Sequence, residues 1–228
     1  MRRKIPITLT IEEIQKIINI PNENLPTGLR NKAILSFIWD SGARVSDVIN
    51  LRPGNINIGK REATVICGKG GIDRHLSYSE YTARLLLKYK NQRPKGNFFF
   101  CTEYKTNNPK YKKGKIANKL DRIYLYSMIR KYAQRAGIKK RIGCHTLRHS
   151  FALNFYKNSE HDLISLQKIL GHKNINTTTI YAYMDGSAVK ESLEAYYKQR
   201  DHKNFEDKDI AEQIKELAKE IQLLKANI

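Results

Sequence analysis

The sequence predicts a mainly α-helical domain that carries a small antiparallel β-sheet, which places it in the α+β class. Apolar residues recur at helical spacing in many segments, beginning with four isoleucines between residues 11 and 18. Two short β-type segments, 62–67 and 74–77, flank the turn sequence Gly68-Lys69-Gly70-Gly71, which is typical of a hairpin. We therefore expect a mostly helical domain with its sheet near the first third of the chain.

The first helix is predicted by a capping box, because Thr10 and Glu13 stand at the required spacing ahead of the isoleucines, and Pro21 ends that segment. A short strand over 98–101 and a basic loop over 102–115 are expected in the middle of the chain. Further segments with helical spacing predict helices over residues 29–39, 46–51, 79–92, 118–136, 145–157, 162–170, 176–183 and 187–200.

The chain is strongly basic, with 42 Lys and Arg against 22 Asp and Glu and a formal net charge of +20. The excess is concentrated between Lys88 and Arg141, where 17 basic residues face two acidic ones and tyrosines are interleaved. Residues 201–228 reverse the balance, with five lysines and seven acids. A one-sided excess of this size favours a polyanionic partner, and nucleic acid is the commonest one. A solvated surface is the alternative interpretation.

The apolar runs are short, and none approaches the roughly 20 residues that a membrane helix needs. The three cysteines, Cys67, Cys101 and Cys144, are scattered along the chain. Such usage does not predict a disulfide framework and suits a reducing compartment. We therefore expect a cytoplasmic protein that does not enter a membrane.

The segment Cys144-His145-Thr146-Leu147-Arg148-His149-Ser150 carries the strongest chemical signal so far. On a helix, His145 and Arg148 share a face and can converge on one ligand. A guanidinium beside an imidazole suits an oxyanion, since Arg offers a planar fork and His can exchange a proton near neutral pH. Zinc is a weaker interpretation, because the helix lacks a His-Glu-x-x-His pattern and a CxxC partner. Alternatively, the segment has only a structural role, with a partly buried His and an Arg in a salt bridge.

Three other segments accompany this one in chain order. Gly42-Ala43-Arg44-Val45-Ser46-Asp47 lies upstream, the Gly68–Gly71 turn lies between, and Leu170-Gly171-His172 lies downstream, with Tyr181 nine residues after its histidine. Together the four segments resemble the catalytic domain of tyrosine recombinases, the lambda-integrase and Xer type of site-specific recombinase. The resemblance spans about residues 8–200, although Ala43 and Asp47 replace the usual Leu and Glu. It implies catalytic roles for Arg44, Lys69, His145, Arg148, His172 and Tyr181.

The resemblance implies a DNA strand-exchange reaction that needs neither a metal ion nor ATP nor any other cofactor. Tyr181 would attack a scissile phosphate of double-stranded DNA and form a covalent 3′-phosphotyrosyl bond. His145 would accept the tyrosine proton, and Lys69 would protonate the leaving 5′-oxygen. Arg44 and Arg148 would bind the non-bridging oxygens, with a hydrogen bond from His172. Asp47 would support this site, and His149 would either orient it or simply pack.

The resemblance also bears on domain organisation. Residues 1–200 are expected to form the catalytic domain, and the N-terminal core-binding domain of most relatives is expected to be absent. Within 201–228, apolar residues step by four and three from Ile210 to Ile228, which is typical of a heptad helix. Family members assemble as tetramers on DNA, so we expect a homo-oligomer in which the tail 206–228 can link protomers. Docking of that helix on its own domain is the alternative.

Two other functions remain open at this point. A type IB topoisomerase resembles this family in its catalytic residues, but the Leu-Gly-His segment followed by Thr177 and Thr178 favours a recombinase. A catalytically silent DNA-binding module would also explain the charge, although the complete set of six residues argues against it. A basic RNA-binding protein is not favoured, because no aromatic RNP-type signature is present.

Overall fold

The structure is a computed structural model that describes residues 5–66, 73–105, 115–186, 189–200, 212–217 and 219. The chain divides into two compact units, residues 1–184 and 185–228. The helices of the first unit are α1 (Ile11–Asn19), α2 (Pro26–Ser41), α3 (Val45–Asn50), α4 (Glu80–Gln92), α5 (Arg122–Arg135), α6 (Cys144–Asn158), α7 (Leu163–Leu170) and α8 (Thr179–Met184).

Two small antiparallel sheets accompany these helices. The strands are β1 (Ile56–Asn57), β2 (Glu62–Val65), β3 (Arg74–Ser77), β4 (Cys101–Lys105) and β5 (Lys115–Lys119). One sheet has the strand order β1-β2-β3 and is the hairpin predicted from the sequence, extended by a two-residue strand. The other is a single pair, β4-β5. Mostly helical content with small antiparallel sheets confirms the predicted fold class.

The central helix of the first unit is α2, which contacts α1, α4 and α6. Its apolar side chains are buried over nearly its whole length, so it lacks the polar, solvent-exposed face that a surface helix has. Helix α1 packs one isoleucine face on it, and the predicted capping box is present, with the Thr10 hydroxyl accepting from the Glu13 N–H and the Glu13 carboxylate accepting from the Thr10 N–H. Phe37, Tyr89 and Phe100 form an aromatic cluster within this core.

Gly42 ends α2 in the left-handed conformation, with φ of +61°. A Cβ atom at this position would lie 2.5 Å from the Phe151 ring, so glycine is required both by the backbone and by the close approach of α6. The chain therefore turns sharply after α2 and begins α3 within three residues. This turn fixes the position of Arg44, which is the N-cap residue of α3.

The middle of the chain differs from the sequence-based prediction. The segment predicted as a strand over 98–101 is irregular until Cys101, and the predicted loop over 102–115 begins and ends in strands β4 and β5. Phe99 and Phe100 are both buried in the core, so their apolar run reflects burial and not strand pairing. The helix predicted over 118–136 begins only at Arg122, because the Asp121 carboxylate caps it by accepting from the Tyr124 N–H.

The second unit is described only in part. Residues 189–200 are helical, as expected, and so are residues 212–217. The remainder of the predicted heptad tail lies outside the described residues, and its role in self-association stays a prediction. Among the described helices, none combines the length and the apolar character that crossing a bilayer requires.

Candidate active site

Five of the six residues singled out from the sequence lie in the described part of the first unit. Arg44 caps α3, His145 and Arg148 lie on α6, His172 follows α7, and Tyr181 lies on α8. The remaining one, Lys69, falls outside the described residues together with its turn, so its predicted position is not described. Contacts join three of the five, Arg44, Arg148 and His172, around the carboxyl end of α7, and Tyr181 contacts α6 through His149.

Three guanidinium groups converge on the last carbonyl groups of α7. Arg148 donates to the Leu170 carbonyl at 2.7 Å and to the Gly42 carbonyl at 2.6 Å. Arg44 donates to the Gly171 carbonyl at 2.8 Å, and Arg74 donates to the Leu170 carbonyl at 3.0 Å. The free carbonyls at a helix carboxyl end carry partial negative charge and attract cations. The end of α7 therefore holds the guanidiniums together where their mutual repulsion would otherwise drive them apart.

Asp47 supplies the balancing carboxylate. Its Oδ2 atom accepts from Arg74 Nη2 at 2.6 Å and from the main-chain N–H of Arg44 at 2.8 Å. The ion pair is buried, with side-chain exposures of 8% for Arg74 and 7% for Asp47. Asp47 thus touches the N-cap residue whose side chain enters the site. The supporting role predicted for this residue stays a prediction, and these contacts give it a physical basis.

Arg74 was missed as a site residue from the sequence. It stands at the start of β3, five residues beyond Lys69, and one basic residue in a chain with 42 gave no reason to choose it. Its burial beside a carboxylate and two carbonyls distinguishes it from the surface cations. The contact that identifies it joins β3 to α7, two segments far apart in the chain, so it could be found only from the fold.

Gly171 allows this close approach. Its φ is +61°, and a Cβ atom there would lie 2.1 Å from Arg74 Cδ. A left-handed glycine also ends α7 and redirects the chain so that His172 lies beside Arg148. In the Gly-His pair of the sequence motif, Gly171 thus leaves room for Arg74, and His172 forms a hydrogen bond with Arg148.

His172 is held from both ring nitrogens. Its Nε2 lies 3.2 Å from Arg148 Nη2, and its Nδ1 lies 3.0 Å from the hydroxyl of Thr178, which is fully buried. A guanidinium can only donate, so Nε2 accepts and the neutral ring carries its proton on Nδ1. Burial, with the charges of Arg148 and Arg44, lowers the pKa of His172 to about 4. The ring is therefore neutral at neutral pH.

Tyr181 is only 1% exposed, and its Oη lies 2.9 Å from His149 Nδ1. Burial raises the pKa of Tyr181 to about 12, although the charge of Arg148 acts in the opposite direction. Burial also lowers the pKa of His149 to about 4, assisted by His145 and Arg148. Tyr183, the neighbouring tyrosine in the motif, is 84% exposed. The structure therefore distinguishes the two tyrosines by environment.

Arg148 is the most buried cation of the cluster, and burial lowers its pKa to about 10, with Arg44 and Arg74 adding to the effect. It is still charged at neutral pH. A cationic group held in a poorly solvated position interacts strongly with an anion, because little water competes. The cluster can therefore bind an oxyanion, because the anion supplies the hydrogen bonds that the buried guanidinium groups no longer receive from water.

His145 lies in the first turn of α6, where it is exposed. It lines an open cleft of about 590 Å³ that also receives Arg44 and three further residues of the basic middle segment, Arg122, Tyr126 and Arg141. The two histidine rings of α6 lie 6.3 Å apart between centroids. The residues weighed for zinc, Cys144, His145 and His149, do not form a metal-binding group in the described part of the chain.

Comparison with known proteins supports the resemblance seen in the sequence. The phage integrase family matches residues 8–187. The tyrosine recombinase XerD of Chlorobaculum tepidum is 31% identical over 200 residues, which cover 86% of this chain and 64% of that protein. The crystal structure of XerA recombinase superposes with a TM-score of 0.68 at 26% identity, covering 86% of this chain and 65% of the other.

A second solved structure adds a DNA complex to these comparisons. The XerH site-specific recombinase bound to palindromic difH substrate, in a post-cleavage complex, matches with a TM-score of 0.66 at 28% identity, covering 85% of this chain and 54% of that one. The chain spans less than two thirds of the length of the curated relatives it matches. Since the family match extends over well more than half of the sequence, the chain belongs to the phage integrase family.

Proposed function

We propose that this protein is a site-specific recombinase that cleaves and rejoins DNA strands through a covalent 3′-phosphotyrosyl intermediate. One observation carries the proposal: a buried tyrosine contacts His149 on α6, and the preceding residue of α6, Arg148, meets Arg44 and His172 at the end of α7. Phosphoryl transfer to a tyrosine requires a nucleophile and groups that stabilise phosphate charge at one phosphorus atom, and this grouping supports such a reaction. Relatives named tyrosine recombinases support the same activity.

The arginines have the clearest chemical task. The pentavalent transition state gains negative charge on its non-bridging oxygens, and Arg44 and Arg148 would donate hydrogen bonds to them. Both side chains already point at carbonyl oxygens in the resting protein. A phosphate would take over part of these hydrogen bonds, so the cluster is preorganised for an oxyanion. The resemblance assigns a further hydrogen bond to His172; because its Nε2 accepts from Arg148 in the resting protein, that bond would need a proton on Nε2 in place of the Arg148 contact.

The covalent step balances without an external energy source. The Tyr181 Oη–P bond forms as the bond from phosphorus to the 5′-oxygen breaks, and the tyrosine proton passes to a base. The resemblance assigns that proton to His145 and the protonation of the leaving oxygen to Lys69. The phosphotyrosyl bond conserves the free energy of the broken phosphodiester, so a 5′-hydroxyl from another strand can reverse the step. Rejoining therefore requires no ATP.

Double-stranded DNA is the proposed substrate, and the cleft beside the site supports this. Arg44, Arg122 and Arg141 line it together with His145, so cations continue outward from the arginine cluster. Such a surface neutralises several phosphates and makes binding dependent on salt. The protein would act in the cytoplasm as a homo-oligomer, with a tetrameric synapse on DNA and the tail 206–228 joining protomers. Solved structures of XerH recombinase bound to difH substrate, 28% identical to this chain, support the DNA partner.

Capture of a covalent adduct tests the proposal. A library of nicked duplexes with random central sequence would be incubated with the protein, and SDS-resistant complexes would be sequenced, which also identifies the site. The wild-type protein should form an adduct, and Tyr181→Phe should bind DNA without forming one. Tyr183→Phe is the matched control, because it removes the same hydroxyl from an exposed tyrosine two residues away. An adduct from Tyr181→Phe, or none from wild type, would contradict the proposal.

A further inference from the structure

Thr178 is fully buried, and its hydroxyl lies 3.0 Å from Nδ1 of His172. Its main chain is fixed as well, because the Thr178 N–H donates to the Ile175 carbonyl at 2.7 Å. A buried hydroxyl needs a hydrogen-bond partner, and a threonine hydroxyl can act as donor or as acceptor. Thr178 therefore offers His172 a partner whether Nδ1 carries a proton or a lone pair.

The main chain of His172 is held at both of its polar groups by Gln167. The His172 N–H donates to the Gln167 carbonyl at 3.1 Å, and the His172 carbonyl accepts from the Gln167 side-chain amide at 3.0 Å. Because the main chain is fixed, Nδ1 and Nε2 can exchange donor and acceptor roles without a movement of the chain. The two neutral forms of the ring then differ only in the nitrogen that carries the proton.

Arg148 determines which neutral form is present in the resting protein. Its Nη2 lies 3.2 Å from Nε2 of His172 and also donates to the Leu170 carbonyl at 2.7 Å. A guanidinium has no lone pair to offer, so Nε2 accepts and the Nδ1–H group donates to Thr178. In this form, neither Nε2 nor the Arg148 N–H that it binds can donate to a phosphate. The resting hydrogen bond therefore occupies two groups that the proposed reaction needs as donors.

We infer that Thr178 is a positioning residue that lets His172 change between its two neutral tautomers when a scissile phosphate binds. This inference rests on the proposed function. With phosphate bound, Nε2 carries the proton and donates to a non-bridging oxygen, and Nδ1 accepts from the Thr178 hydroxyl. The ring takes one proton at Nε2 and releases one from Nδ1, with water as the carrier, so its charge is unchanged. The hydroxyl only rotates about its Cβ–Oγ1 bond.

A bound phosphate favours the second tautomer for a geometric reason. After the change, the N–H groups of His172 Nε2 and Arg148 Nη2 face each other across 3.2 Å, which is unfavourable unless an acceptor lies between them. A phosphate oxygen at about 2.8 Å from each nitrogen would accept from both. Arg148 can keep its hydrogen bond to the Leu170 carbonyl throughout. The phosphate therefore stabilises the tautomer that donates to it, and Thr178 supplies the partner that this tautomer needs at Nδ1.

Selective ¹⁵N labelling of histidine measures the tautomer directly, because each ring nitrogen changes its chemical shift when it gains or loses a proton. The chain has six histidines, so the variant His172→Gln identifies the resonances of His172. Spectra of Tyr181→Phe would be recorded without DNA and with the nicked duplex recovered by covalent capture. We expect Nδ1–H in the free protein and Nε2–H in the complex. A doubly protonated ring in the complex, or the same tautomer in both states, would overturn the inference.

The rates of three threonine variants test the role of the hydroxyl. Thr178→Val replaces the hydroxyl by a methyl group and leaves Nδ1 of His172 without its partner. It should slow single-turnover adduct formation by about 10- to 100-fold at saturating DNA, with affinity nearly unchanged. Thr178→Ser keeps a hydroxyl and should react within about threefold of wild type. Thr179→Val is the matched control, because it removes a hydroxyl that donates to the Asn176 carbonyl, and it should also react within about threefold.

The outcomes distinguish failure of this inference from failure of the proposed function. If the wild-type protein forms no adduct on any nicked duplex, the proposed function is wrong and the inference fails with it. If wild type reacts but Thr178→Val matches its rate, or Thr178→Ser is as slow as Thr178→Val, only the inference fails. Equal rate losses in Thr178→Val and Thr179→Val would also overturn it. Circular dichroism checks folding, and the histidine spectra, recorded with Thr178 intact, decide the inference if Thr178→Val does not fold.

Discussion

Replacing Arg74 by methionine should destabilise the domain and slow the proposed reaction, although Arg74 has no assigned contact with DNA. The substitution keeps an unbranched apolar stem and removes the charged guanidinium group. It breaks a buried ion pair with an N–O distance of 2.6 Å and leaves the Asp47 carboxylate without its main partner. It also removes the hydrogen bonds that Arg74 donates to the Ile169 and Leu170 carbonyls at the end of α7. Arg44 keeps its own contact with Asp47, but that carboxylate is no longer held by Arg74 from its other side.

The size of the effect follows from the burial of both groups. Removing one partner of a buried ion pair costs about 3–5 kcal/mol, because an uncompensated charge remains. Here Asp47 keeps the main-chain N–H of Arg44 and the nearby charge of Arg148, so the lower end, about 3 kcal/mol, is expected. In a domain of this size each kcal/mol shifts Tm by roughly 2–4 °C. The expected fall in Tm is therefore about 6–12 °C.

The fall in Tm is measured by thermal unfolding of Arg74→Met, with Lys140→Met as the control variant. The second pair, Lys140 with Glu13, has the same N–O distance of 2.6 Å, but its side chains are 42% and 23% exposed. An exposed pair contributes about 1 kcal/mol or less. Adding Asp47→Asn to Arg74→Met should recover part of the lost stability, since it removes the orphaned charge. Equal Tm shifts for the two methionine variants, or no recovery in the double variant, would refute the reasoning.

Three further outcomes follow from the site. Gly171→Ala should lower stability by about 1–3 kcal/mol and slow adduct formation, because φ is +61° and the new Cβ would meet Arg74; unchanged unfolding would contradict this. A double-mutant cycle of His149→Phe with Tyr181→Phe should give a coupling of about 1 kcal/mol, and additive losses would mean that the hydrogen bond is not formed. The lowered pKa values of His149 and His172 should make stability fall as pH drops from 6.5 to about 4, because the unfolded chain then binds more protons; His172→Gln should flatten that slope.

Most of the structural features that depend on neighbouring residues in the chain were predicted correctly from the sequence. The capping box at Thr10 and the hairpin strands depend on residues close together in the chain, and both are present. The family assignment came from four motifs in fixed order, and the comparisons confirm it. The middle of the chain was predicted less well. There Phe99 and Phe100 are buried in the core without pairing as a strand. In the sequence, such a short apolar run looks the same as a buried strand.

The site shows a different limit of sequence reasoning. The motifs named residues but not their partners, because partners such as Asp47 and Arg74 lie 27 positions apart and meet only through the fold. The motif gave two histidines on one helix and no means of telling which one Tyr181 would contact. Helical spacing relates residues on one helix, whereas the crossing of α6 and α8 decides which of them touches the tyrosine. That choice required coordinates.

The most direct test of the central claim is the chemical identity of the DNA-linked residue. The wild-type protein would be trapped on a nicked duplex, digested with nuclease and trypsin, and fragmented in a mass spectrometer. The account predicts a nucleotide attached through its 3′-phosphate to Tyr181, with Tyr183 in the same peptide unmodified. A nucleotide on Tyr183 or on any other residue, or attachment through a 5′-phosphate, would contradict it.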